Sequence, residues 1–281
     1  MSTVTETIST IAQTIKERKL IGVIYLIQLL LAIAVGSKVI RFVDIIKTTL
    51  SYEELLYRYD YTILQDLIIA HGTEYSAIFS ALWLVIGIYL LVSVFIHGGL
   101  LQCVWRRDYS ISNFIDGGRR NYFHFLILGL FFMILMVLWS AFIWIPYFKY
   151  LFVMVEKWVA EYMIVWLLIT LVVIYFIGLA LLFLWSVHAR LDILKKEKMN
   201  FGSIRRGVTL VSSQLLKNMK ISFIYASLFS LIYFTVQFLE LRIGITGTGL
   251  VITFIVIHQL IICIKIALRI SVYTSLRNLH S

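Results

Sequence analysis

Residues 122–145 read YFHFLILGLFFMILMVLWSAFIWI, twenty-four positions without an Asp, Glu, Lys or Arg. A hydrocarbon layer about 30 Å thick is crossed by about 20 apolar residues in helical form. The run is continuous and not alternating, whereas strands of a membrane barrel carry short segments with a period of two. A membrane-spanning helix satisfies its own backbone hydrogen bonds, so this stretch reads as one span of a helical bundle.

Working outward, the same texture recurs at 20–39, 75–97, 163–187, 221–239 and 250–270. The expected fold class is therefore all-α: a polytopic transmembrane bundle of six spans, forming a single membrane domain over 1–281. Composition agrees. Of 281 residues, 61% are hydrophobic and 14% charged, against about 45–50% and about 25% in soluble domains. One soluble core could not hide that excess, since a chain of this length still exposes about a quarter of its unfolded surface. Soluble enzymes, disordered tails and disulfide-rich secreted scaffolds are excluded.

Orientation follows the lysines and arginines, which accumulate on the cytoplasmic side. Segments 1–19, 98–121, 188–220 and the end of the chain from Lys265 onward hold 18 of the 25 basic residues. The balance is +12 on that face and −2 on the other, so both termini are expected inside. The net charge of +10 is thereby explained by topology, and no nucleic-acid partner is expected. Trp139, Trp144, Tyr147 and Tyr150, with Trp158, Tyr162 and Trp166, sit where the third and fourth spans meet the outer interface, as amphipathic rings prefer. Pro146 is expected to end the third span.

Around the spans, residues 1–19 place Val4, Ile8, Ile11 and Ile15 at helical spacing, predicting a cytoplasmic amphipathic helix on the inner leaflet. An uncleaved anchor fits the first span better than a signal peptide. The outside loop 40–74 carries the capping patterns Ser51/Glu54 and Thr62/Gln65, predicting two short helices. Cys103 and Cys263 have no CxxC or Cys/His spacing, so neither a disulfide nor a metal site is expected.

Two cytoplasmic loops resemble each other. Arg106-Arg107-Asp108 precedes ISNFIDG ending at Gly117, and Lys195-Lys196-Glu197 precedes FGSIRRG ending at Gly207. A parallel internal repeat, spans two and three matching four and five, is the inference. Each loop would be an amphipathic helix presenting cations to anionic headgroups, worth about 1 kcal/mol per basic residue near the surface. The candidate contacts to anionic lipid or to a partner are Arg106, Arg107, Arg119, Arg120, Lys195, Lys196, Lys198, Arg205 and Arg206.

Chemistry has few places to sit. The sixth span carries His258, Gln259, Lys265 and Arg269, three of them on one helical face; a polar seam lining a solute path is one reading. In the other, Lys265 and Arg269 snorkel to the interface and His258 makes an interhelical hydrogen bond. No carboxylate lies centrally in a span, which argues against a proton- or sodium-coupled pump. Neither HExxH, GxSxG, a Walker loop nor GxGxxG occurs, and the outer pair His71/Glu74 is weak evidence for a metal. No cofactor is expected.

The stretches YTILQDL at 61–67, HGGLL at 97–101 and FIDGGRRNYF at 114–123 resemble a group of uncharacterised six-span bacterial membrane proteins of the Bacteroidota type. The overall plan is also similar to the membrane domain attached to some glycerophosphodiester phosphodiesterases, whose catalytic elements are missing from this sequence. The resemblance implies a fold and a bacterial inner-membrane location, and it supplies no reaction. The expected function is a non-enzymatic scaffold or accessory module that engages anionic lipids, or a protein partner or second copy, through its basic loops. The alternative is a transporter or channel for a small or lipidic solute, using the seam on the sixth span.

Overall fold

The computed structural model describes residues 3–15, 17–49, 72–157, 161–196, 201–244 and 247–280. Among them are nine helices and no strand. They are α1 (Thr3–Ile15), α2 (Arg18–Thr49), α3 (Gly72–Arg106), α4 (Ile111–Arg120), α5 (Tyr122–Lys157), α6 (Glu161–Lys196), α7 (Phe201–Ser213), α8 (Leu215–Ile243) and α9 (Thr248–Asn278). Five of the described helices, α3, α5, α6, α8 and α9, are long and apolar enough to cross a membrane. This is the architecture of a multi-pass membrane protein. In the most apolar stretch of α6 only 6% of the residues are buried, so most of its side chains are left for a surrounding apolar medium.

These helices outrun the apolar runs inside them. A 36-residue helix such as α5 is about 54 Å long, well beyond a layer of about 30 Å. The hydrogen-bond ladder continues until something caps it, whatever the polarity of the side chains. Pro146 accordingly does not end the third span: it lies inside α5, which runs on to Lys157. It removes one backbone donor and leaves the remaining ladder in place. Residues 40–49, expected in an outside loop, continue α2. The two short helices proposed from Ser51/Glu54 and Thr62/Gln65 lie outside the described residues, as does His71.

The chain forms two compact units, residues 22–93 and residues 1–21 with 94–281. In the first, α2 and α3 share a groove of about 290 Å³ lined by Gln28, Leu31, Ala32, Leu82, Val85, Ile86 and Tyr89. Gln28 thus faces the neighbouring helix, and Leu26, Leu30, Trp83 and Leu84 are exposed.

The second unit has its core at one end. Leu100, Leu101, Cys103 and Val104 of α3, Phe125, Leu128 and Phe132 of α5, Leu184, Val187, Leu191 and Ile193 of α6, and Ile270, Tyr273 and Leu276 of α9 are buried there. Helix α6 is central, packing on α5, α7 and α9. Helix α1 packs on α9 and α8, docking by a threonine face: Thr10 and Thr14 are buried while Ile15 is 53% exposed. In its second half, α1 therefore turns these threonines toward protein.

Glycines set the closest helix contacts. A methyl group on Gly117 would lie 2.2 Å from Gln102 Cβ, and one on Gly99 would lie 2.5 Å from the Phe114 carbonyl oxygen. Helices α3 and α4 therefore meet backbone to backbone. The turn between them is a Schellman motif: Asp108 N–H donates to Cys103 O (3.2 Å) and Arg107 N–H to Val104 O (3.3 Å), with Arg107 at φ 56°. Left-handed backbone at a residue with a Cβ costs about 1–2 kcal/mol. Asp108 then accepts from Ser110 N–H and Oγ–H, both 3.0 Å, and Ser110 caps α4 by accepting from Asn113 N–H at 3.3 Å.

Candidate cationic face and its interior

Both basic loops fold as helices laid against the bundle. Helix α4 buries Asn113, Phe114, Gly117 and Gly118. Helix α7 buries Ser203, Gly207 and Val211. Its anchor is Trp185, whose Nε1–H donates to Ile204 O at 2.8 Å; a methyl on Gly207 would meet Trp185 Cδ1 at 2.9 Å and Ala189 N at 3.1 Å. The two dockings match. Gly117 sits against residues 98 and 102 of the preceding long helix and Gly207 against 185 and 189, in each case a pair one turn apart.

With the small residues turned inward, the cations point out. Arg106, Arg107, Arg119, Arg120, Lys195, Arg205 and Arg206 are exposed and Lys196 is half-buried; Lys198 lies outside the described residues. Arg106 and Arg120 are brought together. With Gln102, Trp105, Asn121 and Leu194 they line a pocket of about 110 Å³. Two of its walls, Gln102 and Asn121, are buried polar side chains, and Asn121 Nδ2 donates to Gly117 O at 3.1 Å. Lys196 and Arg206 converge on buried Asp192, at 3.2 and 3.8 Å, an ion pair that ties α6 to α7. Arg107 instead lines a pocket of about 240 Å³ with Thr10, Gln13, Thr14, Glu17, Tyr109 and Thr274.

Beside α7 opens an apolar groove of about 970 Å³, walled by Leu138, Trp139 and Phe142 of α5, Gly178 and Leu182 of α6 and Val208 of α7, among others. Its close point is Gly178, where a methyl would lie 2.2 Å from the Trp139 ring. The Trp139 Nε1–H donates to Tyr175 O at 3.2 Å. Arg205 lies one helical turn before Val208 on α7.

The four polar residues of α9 sit in separate surroundings. His258 hydrogen-bonds Phe254 O at 2.8 Å and stands 3.8 Å from Glu240 of α8. Lys265 is exposed and lies over the Phe229 ring at 6.0 Å. Arg269 donates through Nε to Tyr273 Oη at 3.1 Å and through a terminal nitrogen to His97 of α3. Gln259 is half-buried. None of the four lines the large apolar groove.

Several buried polar groups were not singled out from the sequence. His188 and Asp192 lie one turn apart on the same face of α6, with Arg190 between them on the other side. His188 Nε2–H donates to Asn218 Oδ1 (2.9 Å) and its Nδ1 accepts from His280 Nε2 (2.8 Å). Arg190 stands over the Phe125 ring at 5.8 Å, and Asp192 turns to α7. The signal was a polar residue at every second position immediately after an apolar run. Among the described residues no three His, Cys, Asp or Glu side chains gather where a metal could be held.

A comparison of the chain with protein-family models, curated proteins and solved structures finds no match.

Proposed function

We propose that the protein is a non-enzymatic accessory or scaffold module of a bacterial inner membrane, with six spans and both termini inside, whose cytoplasmic face engages anionic lipids. The observation that carries this reading is the pair of glycine-docked helices, α4 and α7, which hold their glycine-bearing sides against the bundle and their arginines outward. Cations on rigid supports near the headgroups lose little conformational freedom on binding. The pocket shared by Arg106 and Arg120 is of headgroup-phosphate size, and Arg205, one helical turn before Val208 of the groove wall, would pair a cation with room for an acyl chain. The matched dockings of Gly117 and Gly207 also support a parallel repeat.

The test is lipid retention by the full chain, purified in mild detergent and read by native mass spectrometry. Wild type should retain phosphatidylglycerol over phosphatidylcholine. A variant combining Arg106→Gln, Arg120→Gln, Arg205→Gln and Arg206→Gln should lower that preference roughly tenfold or more at low salt. Equal retention of the two lipids by wild type would refute the reading.

A further inference from the structure

The pocket of about 240 Å³ beside α1 has one acid and one base in its wall, Glu17 and Arg107. Among the described residues neither side chain makes an ion pair or a hydrogen bond, with the other or elsewhere. Both are fixed through their backbones. Glu17 N–H donates to Thr14 O at 3.0 Å and Glu17 O accepts from Ile21 N–H at 3.2 Å, which sets the joint between α1 and α2. Arg107 stands in the left-handed turn after α3, its N–H held by Val104 O. A residue with a Cβ is strained there, and such strain gathers at binding sites.

The hydroxyls around them have spent their protons. Thr14 Oγ1–H donates to Thr10 O at 2.8 Å and Thr274 Oγ1–H to Ile270 O at 3.0 Å. Tyr109 Oη lies 3.3 Å from Thr274 Oγ1; with the threonine proton committed, the phenol is the donor. These three oxygens have only lone pairs left to offer, and the Glu17 carboxylate adds more acceptors. The guanidinium of Arg107 is the opposite, five donors and no acceptor. An ammonium satisfies the first set and an oxyanion the second. An anion alone would meet the Glu17 carboxylate, and a cation alone would meet Arg107. The space equals that of about eight waters, which suits a group the size of ethanolamine phosphate. It also lies where a spanning helix ends, since Arg107 directly follows α3, and lipid headgroups sit at that level.

We propose that Glu17 and Arg107 frame a binding site for a zwitterion of the ethanolamine phosphate class, carried by phosphatidylethanolamine or free in solution. Glu17 and the three hydroxyl oxygens take the ammonium, and Arg107 takes the phosphate. The site shares no residue with the four arginines that test the outer cationic face, so either reading can fail alone.

The experiment follows thermal unfolding of the full chain in detergent after lipid removal, since a ligand of the folded state raises Tm. One arm compares ethanolamine phosphate with sodium phosphate at equal ionic strength. The other compares phosphatidylethanolamine with phosphatidylcholine, whose methylated nitrogen has no proton to give a carboxylate. The outer face reads net negative charge and does not favour the first member of either pair. A preference for ethanolamine phosphate identifies a free-zwitterion site; a preference confined to the lipid arm identifies a headgroup site. Glu17→Gln should erase the preference. Arg107→Gly should weaken the response about tenfold or more in apparent affinity. It should do so without lowering the Tm of the unliganded chain, because glycine relieves the left-handed turn, and this separates lost binding from lost folding. No preference in either arm with wild type overturns the proposal. So does a preference that Glu17→Gln keeps, or a response that Arg107→Gly leaves at full strength.

Discussion

His280 reaches back ninety-two positions to hydrogen-bond His188, and this company changes its chemistry. Burial first, then the nearby His188 and Lys195, acting against Asp192, push its pKa down from 6.5 to about 4. In the unfolded chain the ring takes up a proton near 6.5. Between those values the unfolded state binds more protons, so stability is full above about pH 6.5 and falls as the pH drops toward 4. The Tm in detergent should therefore decline from pH 7 to pH 4.5, and His280→Gln should flatten part of that slope. A wild-type curve level across this range would contradict the assignment. Arg107 illustrates a different local effect. It holds a left-handed position that glycine would fill without strain, and sequence pattern does not reveal this because charge says nothing about φ.

Helices α4 and α7 were legible as amphipathic segments, and their arginines were correctly expected at a surface: Arg119, Arg120, Arg205 and Arg206 are exposed. What periodicity did not supply was the identity of the buried side. It is built from glycines, which carry no hydrophobic signal and act by letting backbones approach. Gly117→Ala should destabilise the chain by about 1–3 kcal/mol, since the new methyl meets Gln102 Cβ at 2.2 Å and the Gly98 carbonyl oxygen at 3.2 Å. Hydrogen exchange in α4 should rise with it. Gly87→Ala on α3, with nothing within 4 Å of the added carbon, should be neutral or stabilising by up to about 1 kcal/mol. Equal Tm values for the two variants would show that α4 is not held by this contact. Pro146 is the converse case: read alone it punctuates, yet inside a 36-residue helix the loss of one donor is outweighed by the ladder on either side.

Across the chain, the described core gathers at one end of the second unit, while apolar side chains such as Phe142, Trp166, Phe223 and Phe234 stay exposed along the long helices. That is the expected division where lipid covers the flanks and protein must cover its own polar parts. The proposed orientation places this end inside. With Cys103 and Cys263 replaced, a single cysteine at exposed Ser112 should resist a membrane-impermeant thiol reagent in intact cells, whereas one at exposed Gly247 should react. The opposite pattern would invert the topology and remove the proposed cytoplasmic role of the cations.

The membrane class, the approximate place of five long helices and the exposed cations followed from the sequence alone, because hydropathy and charge act through solvent and need no knowledge of neighbours. Helix ends, the glycine seats of α4 and α7, and the threonine face of α1 required the tertiary structure, because each depends on which backbone comes close to which. The same holds for the interior donors. His97, Arg269 and Tyr273 lie as much as 176 positions apart in the sequence, and only the folded chain makes neighbours of them.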